Sequence, residues 1–174
     1  LKKEKSMDSK LNLTFTRIVD APKEAIWRCW TEPELLLPWF CPKPWKTIAC
    51  EIDLRPGGIF SSTMQSPEGV TMPTGTGCIL EVIANERLTW TSALLPDYRP
   101  SLTPEKCGTD DAGFMFTATI ALEDHVSGTG IGTKYTATVK HADEAGCARH
   151  AAMGFEAGWG AALDQMVAMI QAGI

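Results

Sequence analysis

No apolar run in this 174-residue chain approaches the roughly 20 residues that a membrane-spanning helix needs. Basic residues are in deficit as well: 16 Lys and Arg stand against 21 Asp and Glu, a net charge of -5. A nucleic-acid partner would want a basic face to displace counterions from phosphate, and an anionic membrane surface would want the same. Neither partner is expected. The 6 cysteines (Cys29, Cys41, Cys50, Cys78, Cys107 and Cys147) include no C-x-x-C pair. Their irregular spread among apolar neighbours reads as free, reduced thiols of a cytoplasmic protein, not as a disulfide or zinc framework. A P-loop, a nucleophile elbow and an H-E-x-x-H pair are all missing, and no cofactor is expected. Gly128-Thr129-Gly130-Ile131-Gly132 has the composition of a dinucleotide fingerprint but neither follows a strand nor opens a helix; Ser127 to Gly132 reads as a hairpin turn. Asn12-Leu13-Thr14 has the form of a glycosylation acceptor, with no secretory signal to give it meaning. Leu1 to Lys10 is polar and lysine-rich, has no apolar signal-peptide segment, and reads as a flexible leader.

What the sequence does contain is strong periodicity. Apolar residues make up 44% of it, and a chain of this length can bury roughly 70% of its unfolded surface without a metal or disulfide staple. Leu11, Leu13, Phe15 and Val19 alternate with polar residues, so a first strand is expected, with Arg17 interrupting its apolar side. Asp20-Ala21-Pro22 opens a helix, with Pro22 expected at the first helical position and Glu24 reaching back to the cap. Ile26, Cys29 and Trp30 share one face of it. Residues 33–37 form a second short turn, which Pro38 ends.

Strands follow in series. In the first, Ile48, Cys50, Ile52 and Leu54 are expected on one side and Thr47, Glu51 and Asp53 on the other. Arg55-Pro56-Gly57-Gly58 turns into a strand over 59–65, and strands near 76–83 and 87–92 come next. Residues 93–112 break the rhythm with Pro96, Pro100, Pro104, Gly108 and Asp110-Asp111, the mark of a functional or mobile loop. Phe114, Phe116, Ala118, Ile120 and Leu122 then alternate, as do Tyr135, Ala137, Val139 and His141. Finally Phe155, Trp159, Leu163, Met166 and Ile170 recur at three- and four-residue steps, which predicts one long helix over 144–170. Strands joined by short turns form an antiparallel meander, and its apolar face needs a cover that only the last helix is long enough to give. The expected fold is α+β: one domain, 11–174, in which a curved antiparallel sheet grips the C-terminal helix.

Three segments carry a resemblance that spans nearly the whole chain after Lys10. They are Asp20-Ala21-Pro22 through Ile26-Trp27 to Trp39, then Asp53-Leu54-Arg55-Pro56-Gly57-Gly58, then Met153-Gly154-Phe155 with Gly158-Trp159 and Leu163-Asp164-Gln165-Met166. In this order they resemble the SRPBCC (START/birch-pollen-allergen-like, helix-grip) superfamily, and within it the homologues of the heat-shock-protein ATPase activator. The resemblance implies the helix-grip fold. Its relatives include lipid and hormone binders, polyketide cyclases and co-chaperones, so it leaves the function open among them.

Candidate site residues follow from the expected fold. Trp39, Phe40 and Trp45 bracket proline-broken chain at a helix-to-strand passage, where aromatic surface lines a pocket mouth; Trp90 joins them from the central strands. Tyr135 and His141 face inward on the last strand. His150 lies on the final helix in line with Gly154 and Gly158, small residues that allow either close helix–sheet packing or empty space. Arg99, in the long loop, is a candidate clamp for an acidic ligand end, or else a solvated loop arginine. His141, Glu144, Cys147 and His150 are ligand types that zinc accepts, but their spacing is not that of a zinc site. Three functions stay open: binding of a small, largely apolar molecule with a polar or acidic end, lidded by residues 93–112; a cyclase- or dehydratase-like enzyme moving protons through His141 or His150; and a chaperone-associated interaction module. A homodimer is compatible with each.

Overall fold

The computed structural model describes residues 10–102, 113–127 and 130–174. Its strands are β1 (Asn12–Val19), β2 (Lys46–Ile52), β3 (Ile59–Gln65), β4 (Gly75–Ile83), β5 (Arg87–Thr91), β6 (Leu94–Leu95), β7 (Arg99–Pro100), β8 (Phe116–Ser127) and β9 (Gly130–His141). Its helices are α1 (Lys23–Thr31), α2 (Pro33–Leu36), α3 (Glu144–Ala152) and α4 (Phe155–Gln171). Seven strands form one antiparallel sheet in the order β1-β9-β8-β5-β4-β3-β2, while β6 and β7 pair as a separate small ribbon. No helix among the described residues is long and apolar enough to cross a membrane.

The period of two does what it should on β9. Thr133, Tyr135, Ala137, Val139 and His141 are buried, and the residues between them are not. Phe15 lies opposite Ala137 in the β1–β9 register, and Ala118 opposite Val139 in the β8–β9 register. The other face is rich in threonine. Hydroxyls of Thr16 and Thr136 meet at 3.4 Å, those of Thr89 and Thr119 at 3.0 Å, and Lys134 pairs with Glu123 at 3.0 Å. Cross-strand polar pairs of this kind let that face meet water.

The inner face grips α4. Phe155, Ala162, Leu163 and Met166 join one core with Phe15, Ile79, Leu88, Ile120 and the inward residues of β9. Helix and sheet pack closely at Gly160, where an added Cβ would stand 2.9 Å from the Arg17 guanidinium and 3.7 Å from the Phe15 ring. Arg17, the odd residue in the alternation of β1, lies 5.1 Å over the Phe15 ring and ion-pairs with Asp164 of α4 at 2.5 Å. Its charge therefore has both a carboxylate and an aromatic face to meet.

Four expectations need correction. The single helix over 144–170 is two helices. Asp143 caps α3 through its carboxylate, which accepts from Gly146 N at 2.6 Å, and Gly154, at φ 85°, ends that helix and starts α4. Only glycine takes this left-handed conformation without strain. In β2 a register shift between Thr47 and Ala49 reverses the phase: Thr47 is buried and Ile48 is exposed, although Cys50 and Ile52 do pack on the core. A bulge of this kind re-aims side chains without leaving the ladder. Pro22 is the residue before α1, in extended conformation, and no side chain caps that end. The segment expected as a glycine-rich turn, Ser127 to Gly132, is largely strand at its ends, since β8 runs to Ser127 and β9 starts at Gly130.

Candidate functional site

A cavity of about 530 Å³ lies between the inner face of the sheet and the α3–α4 break. Trp30, Trp39, Phe60, Trp90, Val139 and Phe155, all buried, line its depths. Pro42, Trp45, Met72, Pro73, Met153 and Gly154, all partly or fully exposed, form its rim. Trp30 centres the aromatic wall, with ring centroids 5.0 Å from Trp39, 5.6 Å from Phe40, 5.4 Å from Trp90 and 6.4 Å from Trp159. Rings packed edge to face and tilted at these spacings hold one another in place.

The wall over the rim is pinned by α4. Gln165 Nε2 donates to the carbonyls of Trp39 (3.1 Å) and Cys41 (2.9 Å), and its Oε1 accepts from Lys43 N at 2.9 Å. Proline-broken backbone cannot satisfy itself as a helix or strand would, and one side-chain amide here satisfies three of its groups. Trp39 Nε1 donates to Cys29 O at 3.3 Å, tying the same segment to α1.

Polar groups are few. Tyr135 lies beneath α4, fully buried, and its oxygen accepts from Trp159 Nε1 at 2.9 Å. Burial pushes its phenol pKa up; the N–H groups of Trp159 and Trp30, both turned to that oxygen, act the other way. Trp30 Nε1 nonetheless makes no hydrogen bond of ordinary geometry. At the α3 end, His141 Nδ1 is 3.1 Å from Leu11 O, and His141 Nε2 is 2.9 Å from His150 Nδ1. Phe114 stacks on His150 at 4.7 Å and 27°, and Phe155 meets its edge at 5.2 Å. Burial, then the neighbouring His141, drives the His150 pKa down to about 4. Burial also lowers that of His141, against the opposing pull of Leu11 O and Asp143. Both rings are therefore neutral near pH 7.

Residues 20–171 match the family described as Activator of Hsp90 ATPase homolog 1-like protein. The chain belongs to this family. With it comes the helix-grip superfamily that the sequence motifs resemble. A crystallised protein of Nitrosomonas europaea is 40% identical, with a TM-score of 0.84 over 95% of this chain and 97% of its own. A Rhodobacter sphaeroides protein at 24% identity (TM-score 0.75, 95% of each chain) shares the fold. So does the AHSA1 protein of Silicibacter pomeroyi at 18% identity (TM-score 0.63, 94% of this chain and 99% of its own). No curated protein gives a significant match.

The family-like motifs divide between frame and site. In Asp53–Gly58, Gly57 stands at φ 83° and donates to Ile79 O at 2.7 Å, and a Cβ on Gly58 would lie 1.9 Å from Asp53 O. That corner binds β3 to β4 and is remote from the cavity lining. Gln165, by contrast, holds the cavity wall, and Gly154 makes the break that places His150 and Phe155 side by side.

Of the residues read from sequence, Trp39, Phe40, Trp45, Trp90, His150, Gly154 and Gly158 line the cavity. Tyr135 and His141 stand one layer behind it, bonded to Trp159 and His150. Arg99 is exposed on the β6–β7 ribbon, which packs by Asp97 and Tyr98 on the Gly57 corner. Its clamp role is not borne by this placement, because the ribbon folds away from the cavity and none of residues 93–102 lines it. The rest of the proposed lid, 103–112, lies outside the described residues, as does Cys107. Gly158 adjoins open space: a Cβ there would meet only Pro42 Cγ, at 3.8 Å. Close packing falls to Gly160 instead. Among the described residues no three His, Cys, Asp or Glu side chains converge as a metal site would need.

Sequence reading missed Phe60, Ser62 and Met64, which line the cavity from alternate positions of β3. Their period of two was the available signal. Phe114, just before β8, and Phe116, its first residue, likewise line the cavity.

Proposed function

We propose that this protein binds a small, largely apolar molecule in the cavity between the sheet and α4. One observation carries the reading: a cavity of about 530 Å³, walled by aromatic and methionine side chains, with no charged side chain among its described lining residues. That is the size and chemistry of a small-molecule site. The outer face of β1, β9 and β8 carries threonine and the Lys134–Glu123 pair, with Ile18 an exposed apolar residue among them, rather than the broad apolar patch that would favour the interaction-module reading.

A second reading, proton transfer in a cyclase-like reaction, is favoured by the 2.9 Å contact between His141 and His150. A base near 4 is weak for chemistry at neutral pH, so binding stands first. The free thiols fit a cytoplasmic setting. Neutral N-phenyl-1-naphthylamine tests the proposal. Its fluorescence should rise to saturation with one site per chain, with energy transfer from the cavity tryptophans. An unsaturable rise, or none, overturns it.

A further inference from the structure

We infer that the cavity selects a ligand whose polar end donates a hydrogen bond, a phenol or alcohol hydroxyl, to His150 Nε2. The inference rests on the small-molecule reading above and names the chemistry of its polar end.

The proton positions follow from one atom. Leu11 O can only accept, so His141 Nδ1, 3.1 Å away, carries the proton. Neutral His141 then has its lone pair on Nε2, and His150 Nδ1, 2.9 Å from it, must be the donor. Neutral His150 is left with its lone pair on Nε2. A backbone carbonyl thus fixes, two rings away, the sign of the hydrogen-bonding group shown to the ligand.

The position of that nitrogen follows too. Nδ1 turns toward His141, so the opposite edge of the ring faces the cavity that His150 lines. Phe114 on its face and Phe155 on its edge hold the ring plane. Nε2 has no hydrogen bond among the described residues and yet is not sealed from solvent. Of the other polar side chains in the lining, Ser92 Oγ already accepts from Phe116 N at 3.0 Å, the Trp30 N–H is turned to the Tyr135 oxygen, and Ser62 lies on β3, three strands away from β8.

A carboxylate does not fit. It would place its oxygens against a lone pair, and no described lining residue supplies a cation to offset its burial. An ether or ketone brings an acceptor to an acceptor. A hydroxyl donates to Nε2 while its apolar body stays against the aromatic wall.

The test uses three probes on one ring system, 2-naphthol, 2-methoxynaphthalene and 2-naphthoate, titrated into the full chain at pH 7.5 by calorimetry. 2-Naphthol should bind about 3- to 10-fold more tightly than 2-methoxynaphthalene, the worth of one hydrogen bond. 2-Naphthoate should bind most weakly. In His150→Phe the affinity ratio of 2-naphthol to 2-methoxynaphthalene should fall to about one, whatever the variant does to both affinities together. Should that variant not fold, ¹⁵N spectra of the wild-type imidazoles decide: His150 should be protonated at Nδ1 and bare at Nε2. Equal affinity for all three probes, tightest binding of 2-naphthoate, or the opposite tautomer overturns the inference and leaves the cavity reading standing. No binding of any probe removes both.

Discussion

Gly158→Leu separates an open cavity from a merely loose helix–sheet contact. Gly158 lies in the first half of α4, where glycine costs about 0.8–1.0 kcal/mol relative to alanine. Its missing Cβ would touch only Pro42 Cγ at 3.8 Å, so a longer side chain extends into the space bounded by Trp159, Met153 and the aromatic wall. Burying a leucine there is worth about 1.5–3 kcal/mol at most, and less while the rim stays open. Propensity and burial act in the same direction. The variant should gain about 1–2 kcal/mol, which for a domain of this size raises Tm by about 3–6 °C. The same atoms occupy the ligand's volume, so naphthalene-class probes should lose at least about tenfold in affinity. Urea unfolding and calorimetric titration measure the two halves separately. Were the helix flush on the sheet, the leucine would overpack it and cost about 1–3 kcal/mol. A destabilised variant that still binds the probe would refute the reasoning.

Gln165→Ala frees the carbonyls of Trp39 and Cys41 and the Lys43 amide together, so it should cost about 1–3 kcal/mol and weaken probe binding by loosening the rim; urea titration and calorimetry check both. Acid should act through the histidine pair. Both folded-state pKa values lie below the ordinary 6.5, so the unfolded chain binds more protons: stability is full above about pH 6.5 and declines as pH falls toward 4. After discounting for partial exposure, His150 accounts for about 2 kcal/mol of that loss, and urea titrations at pH 7.5 and 4.5 should show His150→Phe losing that much less than wild type. Cys29 is fully buried with its thiol pushed up to about 11, chiefly by desolvation, so a maleimide at pH 7.5 should label it only after denaturant is added.

Most of the fold was legible because most of it is periodic. The alternation Tyr135-Ala137-Val139-His141 and the stripe through Leu163 and Met166 state which faces are buried, and a sheet with one bare face needs a helix. What escaped was aperiodic. Gly154 in a helical pattern reads equally as packing, cavity or break, and only its φ of 85° decides for a break. The bulge at Ile48 reverses a phase that the residue types do not announce. Arg99 looked like a clamp because sequence places it in a long loop; the Gly57–Asp97 hydrogen bond that turns its ribbon away joins residues 40 apart, which no local pattern reveals. His150 was found by its type and position, but its role as an acceptor was not, since that depends on Leu11 O acting through His141.

The central claim, an apolar ligand seated between sheet and α4, can be tested by methyl NMR on methionine. Met64, Met72 and Met153 line the cavity, whereas Met169 lies on the other flank of α4 beside Pro38. On titration with 2-naphthol the three cavity methyls should shift together and saturate with one dissociation constant, with Met169 unmoved. Shifts confined to Met169, or no saturable shift in any of the three cavity methyls up to the solubility limit of the probe, would contradict the account.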